Sequence, residues 1–231
     1  MQIEKYYEPF PYIIIDDYYE KDELSLIWEE LEFLTHPQKL RRATKESGGA
    51  QKDGKLLKQN YHRYLDHLYE DRNMSNILSV NRKLFDQDIF KTNESWFFQN
   101  VTNTINMDFT QVGYYENNDE YGLHHDHSVV TSLTWLYKEP KKFTGGDLYI
   151  GDSEIKIECV NNRTLVFPSM IRHKVNTIHM EEEYLNQRLG RYCIYITSYY
   201  CDTIVIHWKQ IRKDNMARVL CHMGNNFIYI V

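Results

Sequence analysis

Residues 122–128 read GLHHDHS, which places three histidines and an aspartate in four consecutive positions of a chain that has ten histidines in all. Imidazole and carboxylate at such close spacing are typical metal ligands. In an extended segment, side chains at i and i+2 point the same way. His124 and Asp126 therefore share one face, and His125 and His127 share the other. Only the first pair mixes imidazole with carboxylate. One more histidine would complete a two-histidine, one-carboxylate set, which covers one face of an octahedral metal and leaves three positions open, as non-haem Fe(II) oxygen chemistry requires. His173 in TLVFPSMIRHKV, then His179, His207 and His222, are the downstream candidates. His173 is best placed, because it follows a strand-like run and a proline turn and opens a further strand. HxD alone is a weak signal that also occurs in plain surface loops. His125, His127 and Ser128 are read as loop or turn residues.

The elements that would position these residues can be read along the chain. PFPYIIIDDYY is a short buried strand, since β-branched residues run together behind a proline. KDELSLIWEELEFL carries Leu24, Ile27, Trp28, Leu31 and Leu34 at helical spacing. Residues 41–60 are polar, Gly-containing and aperiodic, which predicts a mobile loop that could order over a substrate. MSNILSVNRKLFDQDIF and ESWFFQNV read as helices. After about residue 105 the texture changes to short β-rich runs: INMDFTQVGYY, SVVTSLTWLY, GDLYIG, EIKIEC, TLVFP, HKVNTIH and RYCIYITSYY. Many short strands at close spacing predict a sandwich or barrel. The expected organisation is one α+β domain over residues 1–206, with helical support from 1–104 and a β-core from 105–206. The tail, 207–231, reads as a helix with a final strand, or as a partner contact.

Composition narrows the function classes. The 231 residues are 42% hydrophobic, enough for a packed core, and 33 acids against 27 bases give a net charge of -6. That balance offers no electrostatic case for nucleic-acid binding. The four cysteines, Cys159, Cys193, Cys201 and Cys221, are scattered, so neither a zinc ribbon nor a disulfide scaffold is expected. No signal-peptide run and no membrane span are found, which predicts a soluble cytoplasmic protein. Gly145 and Gly146 lack the Lys-Ser/Thr and helix of a phosphate loop, and are read instead as a tight approach to a strand.

Taken in order, the motifs from Gly113 to Tyr200 resemble the iron(II)- and 2-oxoglutarate-dependent dioxygenase superfamily, in its prolyl 4-hydroxylase-like branch. They are GYYENNDEYGLHHD, TSLTWLY, the GGDLYI stretch, NNRTLVFPSMIRHKV and GRYCIYIT, and PFPYIIIDDYY resembles the family's opening strand. The resemblance implies a double-stranded β-helix (a jelly roll, cupin-like) with supporting N-terminal helices. It implies Fe(II) held by His124, Asp126 and His173, with 2-oxoglutarate as cosubstrate, O2 as oxidant and ascorbate to rescue oxidised iron. Arg191 would pair with the distal carboxylate of 2-oxoglutarate, where a fork-shaped, permanently charged donor is needed. Tyr114 and Trp135 would line the cosubstrate pocket, the latter in place of the tyrosine of some members. The interval from His173 to Arg191 is longer than the family's usual one, with HMEEEYLNQRLG as the excess, so Arg188 is a rival. Arg191 is preferred because RYCIYIT reads as a strand and Arg188 precedes Gly190. The implied activity is hydroxylation of an unactivated C–H bond, since related halogenating enzymes lack the carboxylate that Asp126 supplies. The implied substrate is a peptidyl proline, or alternatively a free amino acid or other small metabolite. A non-catalytic jelly-roll binding module and a zinc hydrolase are the competing classes. The first would lack a reason for the complete ligand set, and the second would lack a general base and leave Arg191 unexplained.

Overall fold

A computed structural model of the chain describes residues 1–36, 39–44, 50–86, 88–101, 104–152, 154–200, 204–207, 218–223 and 226–230, with residue 86 and those after 200 described by backbone only. Two antiparallel sheets carry the fold. The larger has eight strands in the spatial order Gln2–Tyr6, Tyr12–Asp16, Arg163–Pro168, Val130–Leu136, Arg191–Tyr199, Met107–Tyr115, Tyr61–Tyr64 and Arg41–Arg42. The smaller has five: Ile155–Ile157, Leu148–Ile150, His173–Val175, Glu120–His124 and Lys58–Gln59. From Met107 to the Arg191 strand the chain passes back and forth between the two sheets, with one hairpin, Leu148–Ile150 to Ile155–Ile157, inside the smaller one and Phe143–Thr144 pairing separately with His179–Met180, and this crossing makes the double-stranded β-helix expected from the sequence.

Strand periodicity sorts the side chains into two cores. Tyr192, Ile194 and Ile196 face a cluster that includes Val112, Tyr114, Ile13, Ile15 and the helices. Cys193 faces a second cluster, between the sheets, with Trp135, Leu133, Tyr115, Leu148, Ile150 and Val175. Helix Lys21–Leu34 starts at a capping box formed by Glu20 and Glu23. It buries Ile27, Leu31 and Leu34 completely, at about 1.5–3 kcal/mol for each such side chain. Its Trp28 meets Tyr192 edge-on, with ring centroids 5.1 Å apart. The helix thus clamps the outer face of the strand that carries Arg191.

Two expectations need correction. The segment before residue 105 is not only helical support: five of its strands join the larger or smaller sheet. Within 41–60, predicted as a loop, Arg41–Arg42, Gln51–Lys52, Lys55–Leu56 and Lys58–Gln59 are strands. Residues 45–49 lie outside the described residues. Runs of two residues carry no readable period, so only tertiary pairing reveals them. In the tail, Ile204–His207, Arg218–Met223 and Asn226–Ile230 form a three-stranded antiparallel sheet, and the expected helix would fall in 208–217, outside the described residues. No described helix is long and apolar enough to cross a membrane.

Candidate metal and cosubstrate site

His124 ends one strand of the smaller sheet, and His173 begins its neighbour. The register pairs the two residues directly. Asp126 lies just past the first strand, where its backbone N–H donates to the Ser169 carbonyl at 3.0 Å. These three residues bring one ligand atom each to within 4.8 Å of one another. The Nε2 atoms of His124 and His173 each lie 3.6 Å from an oxygen of Asp126.

The surroundings fix the tautomers. His124 Nδ1 lies 2.8 Å from the Gly122 carbonyl, and His173 Nδ1 lies 2.9 Å from the Ile171 carbonyl. A carbonyl only accepts, so each Nδ1 carries the proton and each Nε2 presents a lone pair to the centre. Burial, then the neighbouring His173 ring, brings the His124 pKa down to about 3, which keeps it neutral and ready to ligate. Asp126 Oδ2 accepts from the Thr131 hydroxyl at 2.6 Å, and Thr131 in turn meets Ser169 at 2.9 Å. His173 is 2% exposed and packed edge-on to Phe167. His179 is exposed and paired with the Phe143–Thr144 strand, away from this cluster. His125 and His127 are exposed and face each other, as the pleat predicts. The side chains of His207 and His222 lie outside the description.

Deeper between the sheets sits Arg191, 0% exposed. Its Nε, Nη1 and Nη2 have no hydrogen-bond partner among the described residues. The guanidinium rests 4.6 Å from the Tyr115 ring centroid, beside Cys193, whose thiol burial pushes up to about 11. The Trp135 indole nitrogen is likewise buried and unpartnered. Gly146, at φ +77°, leaves room for the arginine stem, since a Cβ there would meet Arg191 Cδ at 3.0 Å. Arg188, at φ +60°, precedes the strand that Arg191 opens.

Tyr114 does not line this pocket. Its hydroxyl donates to Glu116 at 2.7 Å and accepts from Gly190 N–H at 3.2 Å, and its ring packs on Tyr192 in the helix-side core. Tyr115, paired with Arg191 across the strands, takes the inward place, and its hydroxyl meets that of Tyr195 at 2.7 Å. The pleat decides this: of two consecutive tyrosines, only the one in register with Arg191 faces inward. Tyr115 and Thr131 were not singled out from sequence. Tyr195 shares the Arg191 face of its strand by period two, and Tyr115 follows once the pairing of that strand is known.

The residues present fit a divalent metal and a dicarboxylate. A neutral-imidazole and carboxylate set suits the first. A buried cation and a buried indole N–H, both without a hydrogen-bond partner among the described residues, suit the second.

No protein-family profile and no curated protein sequence matches this chain. Solved structures do. A prolyl-4-hydroxylase from Pseudomonas putida is similar with a TM-score of 0.56 at 12% identity, over 82% of this chain and 92% of that one. A Trichoplax adhaerens prolyl hydroxylase, solved with a hypoxia-inducible-factor degradation-domain peptide, gives 0.58 at 15% identity, over 82% and 83%. An oxidoreductase of the 2OG-Fe(II) oxygenase family from Burkholderia pseudomallei gives 0.50 at 14%, over 81% and 84%. At these identities the likeness is one of fold. The chain has the fold of the 2-oxoglutarate- and Fe(II)-dependent oxygenases, including its prolyl 4-hydroxylase-like members.

Proposed function

We propose that this protein is an Fe(II)- and 2-oxoglutarate-dependent dioxygenase that hydroxylates an unactivated C–H bond. The observation that carries the reading is Arg191, a fully buried guanidinium with no hydrogen-bond partner or counter-ion among the described residues, in the same barrel as a two-histidine, one-carboxylate cluster. A buried unpaired charge is costly, and a dicarboxylate cosubstrate would compensate it. His124, Asp126 and His173 would hold the metal, with Nδ1–carbonyl bonds and the Thr131 hydroxyl fixing their orientation. Arg191 would bind the distal carboxylate, and the Trp135 N–H would add a donor. The Tyr115–Tyr195 hydroxyl pair and the apolar walls around it would exclude water from the pocket. Bound iron, with 2-oxoglutarate and O2, supplies the oxidising power, and the products are succinate, CO2 and hydroxylated substrate. Ascorbate as a rescue reductant and a cytoplasmic location belong to the same proposal. The substrate is a peptidyl proline or, as the alternative, a free amino acid or other small metabolite.

The test is anaerobic. Fe(II) and 2-oxoglutarate added to the purified chain should produce a weak visible charge-transfer band. Asp126→Ala and His173→Ala should each weaken Fe(II) binding by at least about 100-fold, since even supporting residues around a metal are worth 10–100-fold. Folded wild-type protein that binds Fe(II) yet gives no band would sink the proposal and leave a binding module as the better account.

A further inference from the structure

Lys58 is a buried cation without a counter-ion. It is 7% exposed and sits on the edge strand of the smaller sheet, paired with Tyr121. Its ammonium donates to Gln111 Oε1 on the larger sheet. It lies 5.4 Å from the ring centroids of both Tyr121 and Tyr195. Tyr121 stacks on His124, with centroids 3.6 Å apart, so one aromatic ring separates the ammonium from a metal-cluster histidine. Among the described residues, no carboxylate forms an ion pair with Lys58. Burial pulls its pKa down to about 8, while the Asp126 carboxylate acts to raise it. The group is therefore still charged near neutrality.

Two polar neighbours of Lys58 have no hydrogen-bond partner among the described residues. Asn60 is completely buried, and neither its amide nitrogen nor its oxygen has a hydrogen-bond partner. Both ring nitrogens of His62 are also unpaired, and burial, then Lys58, pulls that ring down to about 4, so it is neutral. Asn60 and the Tyr195 ring converge above Gly113, where an added Cβ would lie 3.0 Å from the amide nitrogen and 3.2 Å from the ring. The polar groups thus gather at one place on the wall of the barrel.

A count of charge decides what they await. With a divalent metal, one aspartate, one dicarboxylate and Arg191, the buried charges of the proposed site cancel. The two histidines, His62 and the thiol of Cys193 add none. Among the described residues Lys58 is the positive charge left over, and a low-dielectric pocket penalises it until an anion arrives. An internal prolyl residue presents only neutral amides, which hydrogen-bond but do not neutralise.

We infer that Lys58, with Asn60 beside it, anchors a carboxylate of the substrate, so that the substrate is a free amino acid or a comparably small carboxylic acid. This rests on the dioxygenase reading and names its substrate class. Lys58 is then a specificity-determining residue, and the reacting carbon lies a few bonds from the carboxylate it holds.

The experiment uses the full chain loaded with Zn(II), which cannot turn over, and 2-oxoglutarate. It measures calorimetric binding of the free L-amino acids, of their carboxamides, and of a proline tripeptide capped at both ends. The Fe(II)/2-oxoglutarate band is recorded first as a separate gate. At least one free acid should bind, with its amide weaker by on the order of 100-fold, the scale expected when a desolvated charge pair loses one partner. Lys58→Met should abolish that preference yet keep the band, and Lys58→Arg should retain the preference. Acid and amide binding alike overturns the inference, as does binding of the capped peptide alone or of nothing in the panel. If Lys58→Met fails to fold, the acid-against-amide comparison on the wild type still decides. An absent band overturns the dioxygenase proposal and this inference with it.

Discussion

Arg163 and Arg191 lie on the two strands that flank the Trp135 strand, and they are held in opposite ways. Arg163 makes a two-pronged contact with Asp16, Nε to Oδ1 at 2.6 Å and Nη2 to Oδ2 at 2.8 Å. Asp16 sits on the neighbouring Tyr12–Asp16 strand, so this pair pins one strand to another. Arg191 is more deeply buried and has no such partner. An arginine that serves the fold carries its counter-ion in the same chain. One whose counter-ion is absent from the chain is placed for something that arrives.

Arg191→Leu is the strongest way to break this contrast. It should weaken 2-oxoglutarate binding by about 100- to 1000-fold, the worth of a desolvated charge-assisted contact. The ligand-free protein should become more stable by about 1–4 kcal/mol, because an apolar side chain replaces a buried polar group without partners. Denaturant melts with and without 2-oxoglutarate measure both effects, since the ligand should stabilise the wild type and not the variant. A less stable ligand-free variant would mean that Arg191 is structural, and the contrast would collapse.

Arg163→Leu should do the reverse on a smaller scale. Stability should fall by about 1 kcal/mol, as for a partly exposed but well-aligned pair, and 2-oxoglutarate affinity should not change. The effect should depend on pH with a definite sign. The hydrogen bond from Arg163, and then its charge, hold the Asp16 carboxyl below its ordinary 3.8. The unfolded chain then binds the proton more readily than the folded one. The pair's contribution is complete above the ordinary carboxylate pKa and is lost as pH falls through the depressed one. Melts of wild type and variant should therefore converge in acid below about pH 4 and separate towards neutrality.

The contrast also marks what could be read from the chain. The shared facing of His124 and Asp126 could be read because strand alternation is a local signal, and HxD shows it directly; Arg191 came from the family resemblance, with RYCIYIT read as its strand. His173 stood first among four histidines by position, and the family resemblance singled it out. Tyr114 misled because GYY offers two tyrosines, and phase is set by the partner strand: Arg191 pairs with Tyr115. Lys58 gave no signal at all. It lies in a polar, aperiodic stretch, and its burial comes from contacts with Gln111, Tyr121 and Tyr195, all more than fifty residues away. Charge count, rather than pattern, made it conspicuous, and only once the pocket around it was built.

The adjacent tyrosines offer the finest test of that phase. In Tyr114→Phe the hydroxyl that accepts from Gly190 N–H and donates to Glu116 is lost. The ring stays on Tyr192, so the cost should be about 1 kcal/mol, the worth of a hydrogen bond. The 2-oxoglutarate affinity should stay at the wild-type value, because this hydroxyl lies on the helix side of the sheet. Tyr115→Phe removes a hydroxyl of similar chemistry one residue along, from a ring that carries the Arg191 guanidinium on its face. The aromatic face survives, so Arg191 keeps its place, while Tyr195 loses its hydroxyl partner inside the pocket. A drop of about 3- to 10-fold in 2-oxoglutarate affinity should follow, the equivalent of one modest hydrogen bond. If the two variants behave alike in 2-oxoglutarate titrations, the inward face has been assigned to the wrong tyrosine. If they exchange roles, Tyr114 is the pocket residue after all and the register across from Arg191 is displaced by one.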